Sequence, residues 1–492
     1  MYGMKLPSQG GPPWTEYTSE HFRLVTDLYP EDARDTLKEL EERRTGLLNA
    51  AWHGADFKTR RTRVVMFRNS NELQEFMFRS ILGLWTVDAT GDKVMIMSRE
   101  GQDAPGYFAL EDVKGTTKGM RVLTHELTHD LGSSYFAHQP RWLSEGMARF
   151  LETLQVDDKQ GKVIIGTPDM YGVTEVRSLP KLFEYEERGY GPDYEEAASL
   201  VFYLANHEGK AFNEYQRALS RGDEGGKAWA SAFPAYATTD GLYALTHKVN
   251  DAVKELHYTR KFKTASAALV RYEGAIDERS IREPEIRALR AELFLTAPNI
   301  GNEETIRGKA AEEVKAALAQ DPGEVLARVV QIELLDDLQA KLEVAKAGQA
   351  ARPQDFRAWL LVDQALENTK EEMPLHVRTL ETAVALAPDS PWALQRLARV
   401  YANSGRAGPA VGLARKSLSM FPDSAQGLDT YALVMFANAD CKAAVELQSL
   451  AIERLPHVPK EVDLTRTKSG RHFLQAREEM HARLGEYRKS CR

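Results

Sequence analysis

The stretch "LTHELTHDLGSSYFAHQPRWLSEGMARF", residues 123–150, decides how the chain is read. Two histidines stand four apart, a glutamate follows the first, and a second glutamate comes after a short connection. Leu123, Leu127 and Leu131 recur at helical spacing and predict one apolar face. On such a helix His125 and His129 fall about 200° and 240° from Leu123, so both imidazoles share the opposite face. Gly132 is read as the helix end. In "PRWLSEGMARFLETL", Leu143, Met147, Phe150, Leu151 and Leu154 form a second stripe, with Glu145 off it near the helix start. The connecting "GSSYFAHQP" suits a helical hairpin, which brings Glu145 back towards the two imidazoles. Imidazoles at i and i+4 converge on one ion, so His125, His129 and Glu145 are candidate Zn2+ ligands with a fourth position open. Glu126 is the candidate general base. The plain alternative is a helical hairpin that happens to carry polar residues.

Upstream, the chain reads as mixed α/β. "HFRLVTD" (residues 21–27) alternates like a half-buried strand, and "EDARDTLKELEERRTGLLNAAW" sets Leu37, Leu40, Leu47, Leu48 and Ala51 on a helical stripe. "RVVMF" (63–67) is a short buried strand. Ser70 is a plausible cap for a helix carrying Leu73, Phe76 and Met77. "TVDATGDKVMIMS" predicts two strands joined by a turn at Gly91-Asp92. The strand "KVMIM" (93–97) is read either as a partner for an extended substrate or as a core strand. From about Lys118 to Leu256 the signals are mainly helical.

After about Lys261 Ala, Leu, Arg and Glu dominate and strand signals stop. Pro322, Pro353, Pro388, Pro422 and Pro456 follow one another at gaps of 31, 35, 34 and 34 residues. That is the period of a tetratricopeptide repeat. Leu394, Leu397, Ala398, Tyr401, Ala410 and Pro422 are echoed by Leu428, Tyr431, Ala432, Met435, Ala444 and Pro456. A small residue stands where two helices would cross, and a proline ends the second helix. The unit starting at Trp359 fits only in its first helix, and earlier units are degenerate; an irregular helical bundle is the alternative. Residues 461–492 read as a polar helix capping the stack.

"THELTHDL" followed by "PRWLSEGMARF" resembles the gluzincin metallopeptidases, specifically the peptidase MA-like branch. The resemblance spans about residues 15–255, with 123–150 its specific part. It implies an α+β zincin-like metallopeptidase domain, ahead of an all-α tetratricopeptide-type helical repeat domain. The expected divisions are 1–118 (mixed α/β subdomain), 119–260 (helical zinc-site subdomain), 261–456 (repeats) and 457–492 (capping helix). Residue by residue, it makes His125, His129 and Glu145 the zinc ligands and Glu126 the base. Thermolysin-like enzymes often carry an acid four residues after the ligand glutamate. Here that position is Arg149, so the carboxylate that holds a ligand histidine must come from elsewhere; Asp130 is near in sequence. Tyr194, which leads the helix in "YEEAASLVFYLANH", is the candidate oxyanion donor, against a tyrosine simply packed at a helix start. His138 is a weaker candidate.

The chain has 492 residues, 43% of them hydrophobic, which implies two or three domains with buried cores. A net charge of −8 argues against nucleic acid as a partner. No apolar run reaches the length of a membrane span. "MYGMKLPSQGGPPW" has no apolar signal-peptide core. Localisation stays open between a periplasmic or secreted protein and a cytoplasmic one. Cys441 and Cys491 sit in no metal or redox motif; a disulfide and two free thiols are both open. The expectation is therefore a zinc-dependent peptidase whose repeats bind a peptide or protein. The alternatives are an inactive protease-like scaffold working through its repeats, and a zinc hydrolase of non-peptide substrates.

Overall fold

The computed structural model describes residues 4–55, 60–78, 81–88, 92–99, 118–137, 139–170, 172–188, 194–296, 302–366, 373–422, 424–455 and 468–491. The β-branched run "TRVVMF" forms β3 (Thr62–Phe67) and "KVMIMS" forms β5 (Lys93–Ser98), each buried at every residue. They are central in a six-stranded sheet with β1 (Thr15–Thr18), β2 (Phe22–Thr26), β4 (Gly83–Val87) and β9 (Asp277–Ser280). The order is β4-β5-β3-β2-β1-β9; β2, β3 and β5 run parallel, while β4, β1 and β9 are antiparallel to their neighbours.

Both faces of this sheet are covered, which is why alternation is lost in its middle strands. Leu24, Val64, Met66, Met95 and Met97 face one core with α1 (Pro30–Ala51) and α3 (Lys118–Tyr135). Val25, Val65, Phe67, Val94 and Ile96 face a second core, whose other side is Ile286, Leu289 and Phe294 of α10 (Glu283–Thr296) and the helices after it. Helix α1 begins with Pro30 and two acids in its first turn. Its buried Arg43 donates to Thr124 Oγ1 at 2.9 Å and to the Leu154 carbonyl at 3.3 Å, tying α1 to the histidine helix.

Three local expectations are corrected. The cap before α2 (Ser70–Leu73) is Asn69, whose side chain accepts from Glu72 N, and the helix is a single turn, although Leu73, Phe76 and Met77 are fully buried as expected. Gly132 does not end α3. The helix runs on to Tyr135, and a Cβ at Gly132 would stand 2.9 Å from Gln139 Oε1, so the bare glycine admits the returning chain. Strands do not stop at residue 261. β8 (Ala265–Ala268) joins β7 (Lys162–Ile165) and β6 (Gln155–Asp157) in a second sheet, and β9 extends the first. Their sequences, "ASAA" and "DERS", are exposed and carry no apolar alternation; waiting edges on β7 and β1 recruit them.

Helix α4 (Arg141–Leu151) follows α3, and α5 (Leu179–Arg188), α6 (Tyr194–His207), α7 (Gly209–Ser220), α8 (Gly225–Ala232) and α9 (Thr239–Thr259) pack behind it. The remainder is a stack of helical hairpins: α10 with α11 (Glu303–Gln320), α12 (Val325–Leu334) with α13 (Leu338–Ala351), and α14 (Phe356–Leu366) with α15 (Met373–Leu386). Then come α16 (Pro391–Asn403) with α17 (Ala407–Met420), and α18 (Ala425–Ala437) with α19 (Cys441–Glu453). Ala398, Ala410, Ala432 and Ala444 are fully buried, as the repeat pattern predicts for close helix crossings. The units before Trp359 are degenerate in sequence but still form hairpins. Helix α20 (Lys468–Ser490) closes the stack: Tyr487 stacks on Phe436 at 4.4 Å, and Arg483 donates to both oxygens of Asp429. A disulfide joins Cys441 to Cys491, so the free-thiol reading is set aside. Among the described residues no helix is long and apolar enough to cross a membrane.

Candidate metal centre

The buried leucines of α3 turn His125 and His129 outward into a cleft, with ring centroids 4.9 Å apart. Helix α4 brings Glu145 against them. Its Oε2 lies 3.7 Å from His125 Nε2 and 3.5 Å from His129 Nε2. Four-coordinate zinc with ligands at about 2.0–2.2 Å needs ligand atoms roughly 3.4 Å from one another. The three side chains fit such an ion with little movement. Among the described residues they are the group of histidines and acids whose donor atoms converge in this way.

What holds them is as telling as their spacing. His125 Nδ1 is 3.0 Å from Glu152 Oε2, and His129 Nδ1 is 3.0 Å from Ser144 Oγ. A carboxylate only accepts, so Nδ1 of His125 carries a proton and Nε2 is the ring nitrogen turned to the cleft. Glu152 Oε1 in turn accepts from Arg121 at 2.6 Å and Arg149 at 2.7 Å, and Arg121 also donates to Asp169 at 2.7 Å. Burial works against charge on Glu152, but Arg149, the His125 hydrogen bond and Arg121 hold its carboxyl down at about 2. Burial likewise opposes a proton on His125, yet hydrogen bonds to Glu145 and Glu152 raise it to about 10. Glu145 is half-buried, and its hydrogen bonds to the two histidines push it well below the usual carboxylate range. The pocket is thus built to hold positive charge.

Arg149, where a supporting acid was expected, instead braces the carboxylate that supports His125. Asp130 is not that acid. Its Oδ1 accepts from Thr62 Oγ1 at 3.0 Å and Trp85 Nε1 at 3.3 Å, and its carbonyl accepts from Lys93 at 2.9 Å, so it ties α3 to the sheet. Glu152 was missed in the sequence. Its signal is its spacing: seven residues past Glu145 is two helical turns, hence the same face of α4.

Glu126 points at the edge strand β4. A Cβ at Gly83 of that strand would stand 2.8 Å from its Oε1. Burial raises its carboxyl, with Glu145 adding to the rise and the two histidines opposing it. Strand β5, read as a possible substrate partner, lies inside the sheet between β4 and β3; the strand at the cleft is β4. Gly146 sets the depth of Glu145. A Cβ there would fall 2.6 Å from the Ala197 carbonyl, so α6 crosses α4 in contact. Tyr194, at the start of α6, is 45% exposed and lines the same cleft. His138 lies outside the described residues. The cleft has a volume of about 1000 Å³.

Comparison with protein-family profiles gives no match, and comparison with curated protein sequences gives none either. Solved structures do match. The MamA protein is 18% identical over 35% of this chain and 91% of its own, with a TM-score of 0.27. The type IV pilus biogenesis factor PilW is 16% identical over 42% and 93%, with a TM-score of 0.30. YrrB, described as a TPR protein with an unusual peptide-binding site, is 16% identical over 31% and 79%, with a TM-score of 0.26. The C-terminal part of the chain is a helical repeat of tetratricopeptide type, and that assignment stands on the hairpins and buried alanines of α10–α19 rather than on scores this low.

Proposed function

We propose that the chain is a zinc-dependent peptidase, with His125, His129 and Glu145 as ligands and Glu126 as general base. The observation that carries this is the convergence of two Nε2 atoms and one carboxylate oxygen, with both Nδ1 atoms tied back to Glu152 and Ser144. When bound, the ion supplies Lewis acidity and a water whose pKa is lowered to about 7. Glu126 takes a proton from the attacking water and passes it to the leaving amine. Its carboxylate lies against Gly83 of β4, whose outer edge offers main-chain groups to an extended peptide. Tyr194 at the cleft mouth is proposed to donate to the developing oxyanion.

A second reading is a protease-like scaffold whose repeats bind a partner protein. The hairpins of α10–α19, with alanines buried at their crossings, side with it. The intact set of His125, Glu126, His129 and Glu145 sides with the first; a hydrolase of non-peptide substrates shares that set. Elemental analysis of protein reconstituted with zinc, followed by a peptide-library cleavage screen, separates them. About one zinc per chain and turnover abolished by Glu126→Gln support the peptidase. Zinc without turnover supports the scaffold, and Glu145→Ala binding zinc as the parent does would remove the ligand assignment.

A further inference from the structure

The cleft has a wall that the metal-binding region does not supply. Trp392 and Gln395 of α16, Leu418 of α17, Phe421 just beyond it and Gln426 of α18 line the same cavity as His125, Glu126 and His129. Ile81, Leu84 and Val87 of β4 and its approach line it as well. The wall is fastened in place. Lys93 Nζ sits 5.4 Å over the Phe421 ring, and Arg60 pairs with Asp389 at 3.3 Å while lying 4.8 Å over the Phe356 ring. The core shared by the sheet and α10–α14 anchors the base of the stack.

Resting on the peptidase reading, we propose that α16–α18 form the second side of a substrate channel. It admits extended, unfolded peptide segments and selects those with a bulky apolar side chain. An edge strand pairs only with extended backbone, which excludes a folded domain from the space between β4 and the repeats. Ile81 and Leu84 on the strand side and Trp392, Leu418 and Phe421 on the repeat side line that space with apolar side chains, so a large apolar side chain gains from entering and a charged one loses its hydration. The repeats thus act as a specificity element at the site rather than as a remote docking platform.

The test uses the full chain, zinc-loaded and carrying Glu126→Gln, and measures binding by fluorescence anisotropy. The probes are fluorescein-labelled decapeptides that differ only in a central Phe, Leu, Ala or Asp. Phe and Leu peptides are expected to bind about 10-fold or more tightly than Ala or Asp peptides, a difference of about 1.4 kcal/mol. Reduced, alkylated ribonuclease should compete, and native ribonuclease should not. Adding Trp392→Ala and Phe421→Ala should erase the preference at unchanged zinc content. Gln426→Arg, at an exposed position on the wall, should raise affinity for the Asp peptide, a gain that misfolding cannot imitate. A preference untouched by all three substitutions, or equal competition by native ribonuclease, overturns the channel. Wall-dependent binding with no turnover by the parent leaves the channel standing and removes the hydrolysis.

Discussion

Glu152 Oε2 accepts from His125 Nδ1 at 3.0 Å, just past the end of the helix that carries Glu145. One helix therefore provides both a candidate ligand and the carboxylate that orients another. Glu152→Gln keeps the shape and removes the charge that faces Arg121 and Arg149. Zinc affinity is expected to fall by about 10- to 100-fold, the usual cost of losing such a partner. A competition titration against a chromophoric chelator measures it, and an unchanged affinity would show that His125 needs no carboxylate behind it.

Gly146 makes a separate prediction about how Glu145 is held in depth. A methyl group at this position meets the Ala197 carbonyl at 2.6 Å and Val201 Cγ2 at 2.8 Å. Backbone cannot yield as a flexible side chain can, so α6 must shift. Gly146→Ala is expected to lose about 1–3 kcal/mol in urea unfolding and to weaken zinc binding with it. A variant as stable as the parent would mean that α4 and α6 slide freely.

The candidate centre was legible in sequence because its signals are local. Two histidines at i and i+4 need only a helix, and the leucines at 123, 127 and 131 say which way that helix faces. The buried alanines of α16–α19 were legible for the same reason. Glu152 was readable in principle from its spacing to Glu145, but the family pattern points four residues past the ligand glutamate, where Arg149 stands, and Asp130 was the nearest acid in sequence. β8 and β9 were not readable: nothing in "ASAA" or "DERS" favours a strand, and their state is set by partners 100 or more residues away in sequence. The repeat wall of the cleft was hidden likewise, since Trp392 and Phe421 reach it only through the stacking of the whole repeat.

That long-range packing predicts how truncation behaves. Removing residues 261–492 strips β8 and β9 from their sheets and uncovers Val25, Val65, Phe67, Val94 and Ile96. Each buried side chain of this size contributes about 1.5–3 kcal/mol. A chain ending at residue 260 is expected to aggregate or to lack a cooperative melt, whereas one ending at Leu386 keeps that face covered and should unfold cooperatively. Light scattering and near-ultraviolet circular dichroism read the difference. A well-folded, zinc-binding 1–260 fragment would show that the first unit is self-sufficient.

His376 gives the repeats a pH dependence of their own. Its Nδ1 is 2.6 Å from Asp363 Oδ1, and its Nε2 is 2.8 Å from the Leu366 carbonyl. Both partners accept, so both ring nitrogens carry protons and the ring is a cation. Burial alone would lower its pKa, but the hydrogen bond and charge of Asp363 raise it above the ordinary 6.5. Asp363, also paired with Arg396, is depressed in return. A raised histidine contributes stability that is complete below its unfolded pKa and disappears as pH climbs through its folded one. Asp363 behaves oppositely, losing its contribution as pH falls through its own depressed value. The parent should therefore melt above His376→Gln by its widest margin near pH 5–6, about a unit below the unfolded histidine pKa. That margin should shrink steadily as pH rises. A margin that stays constant up to about pH 9 would mean that folding does not shift the pKa of the ring, and that Asp363 is held by Arg396 alone.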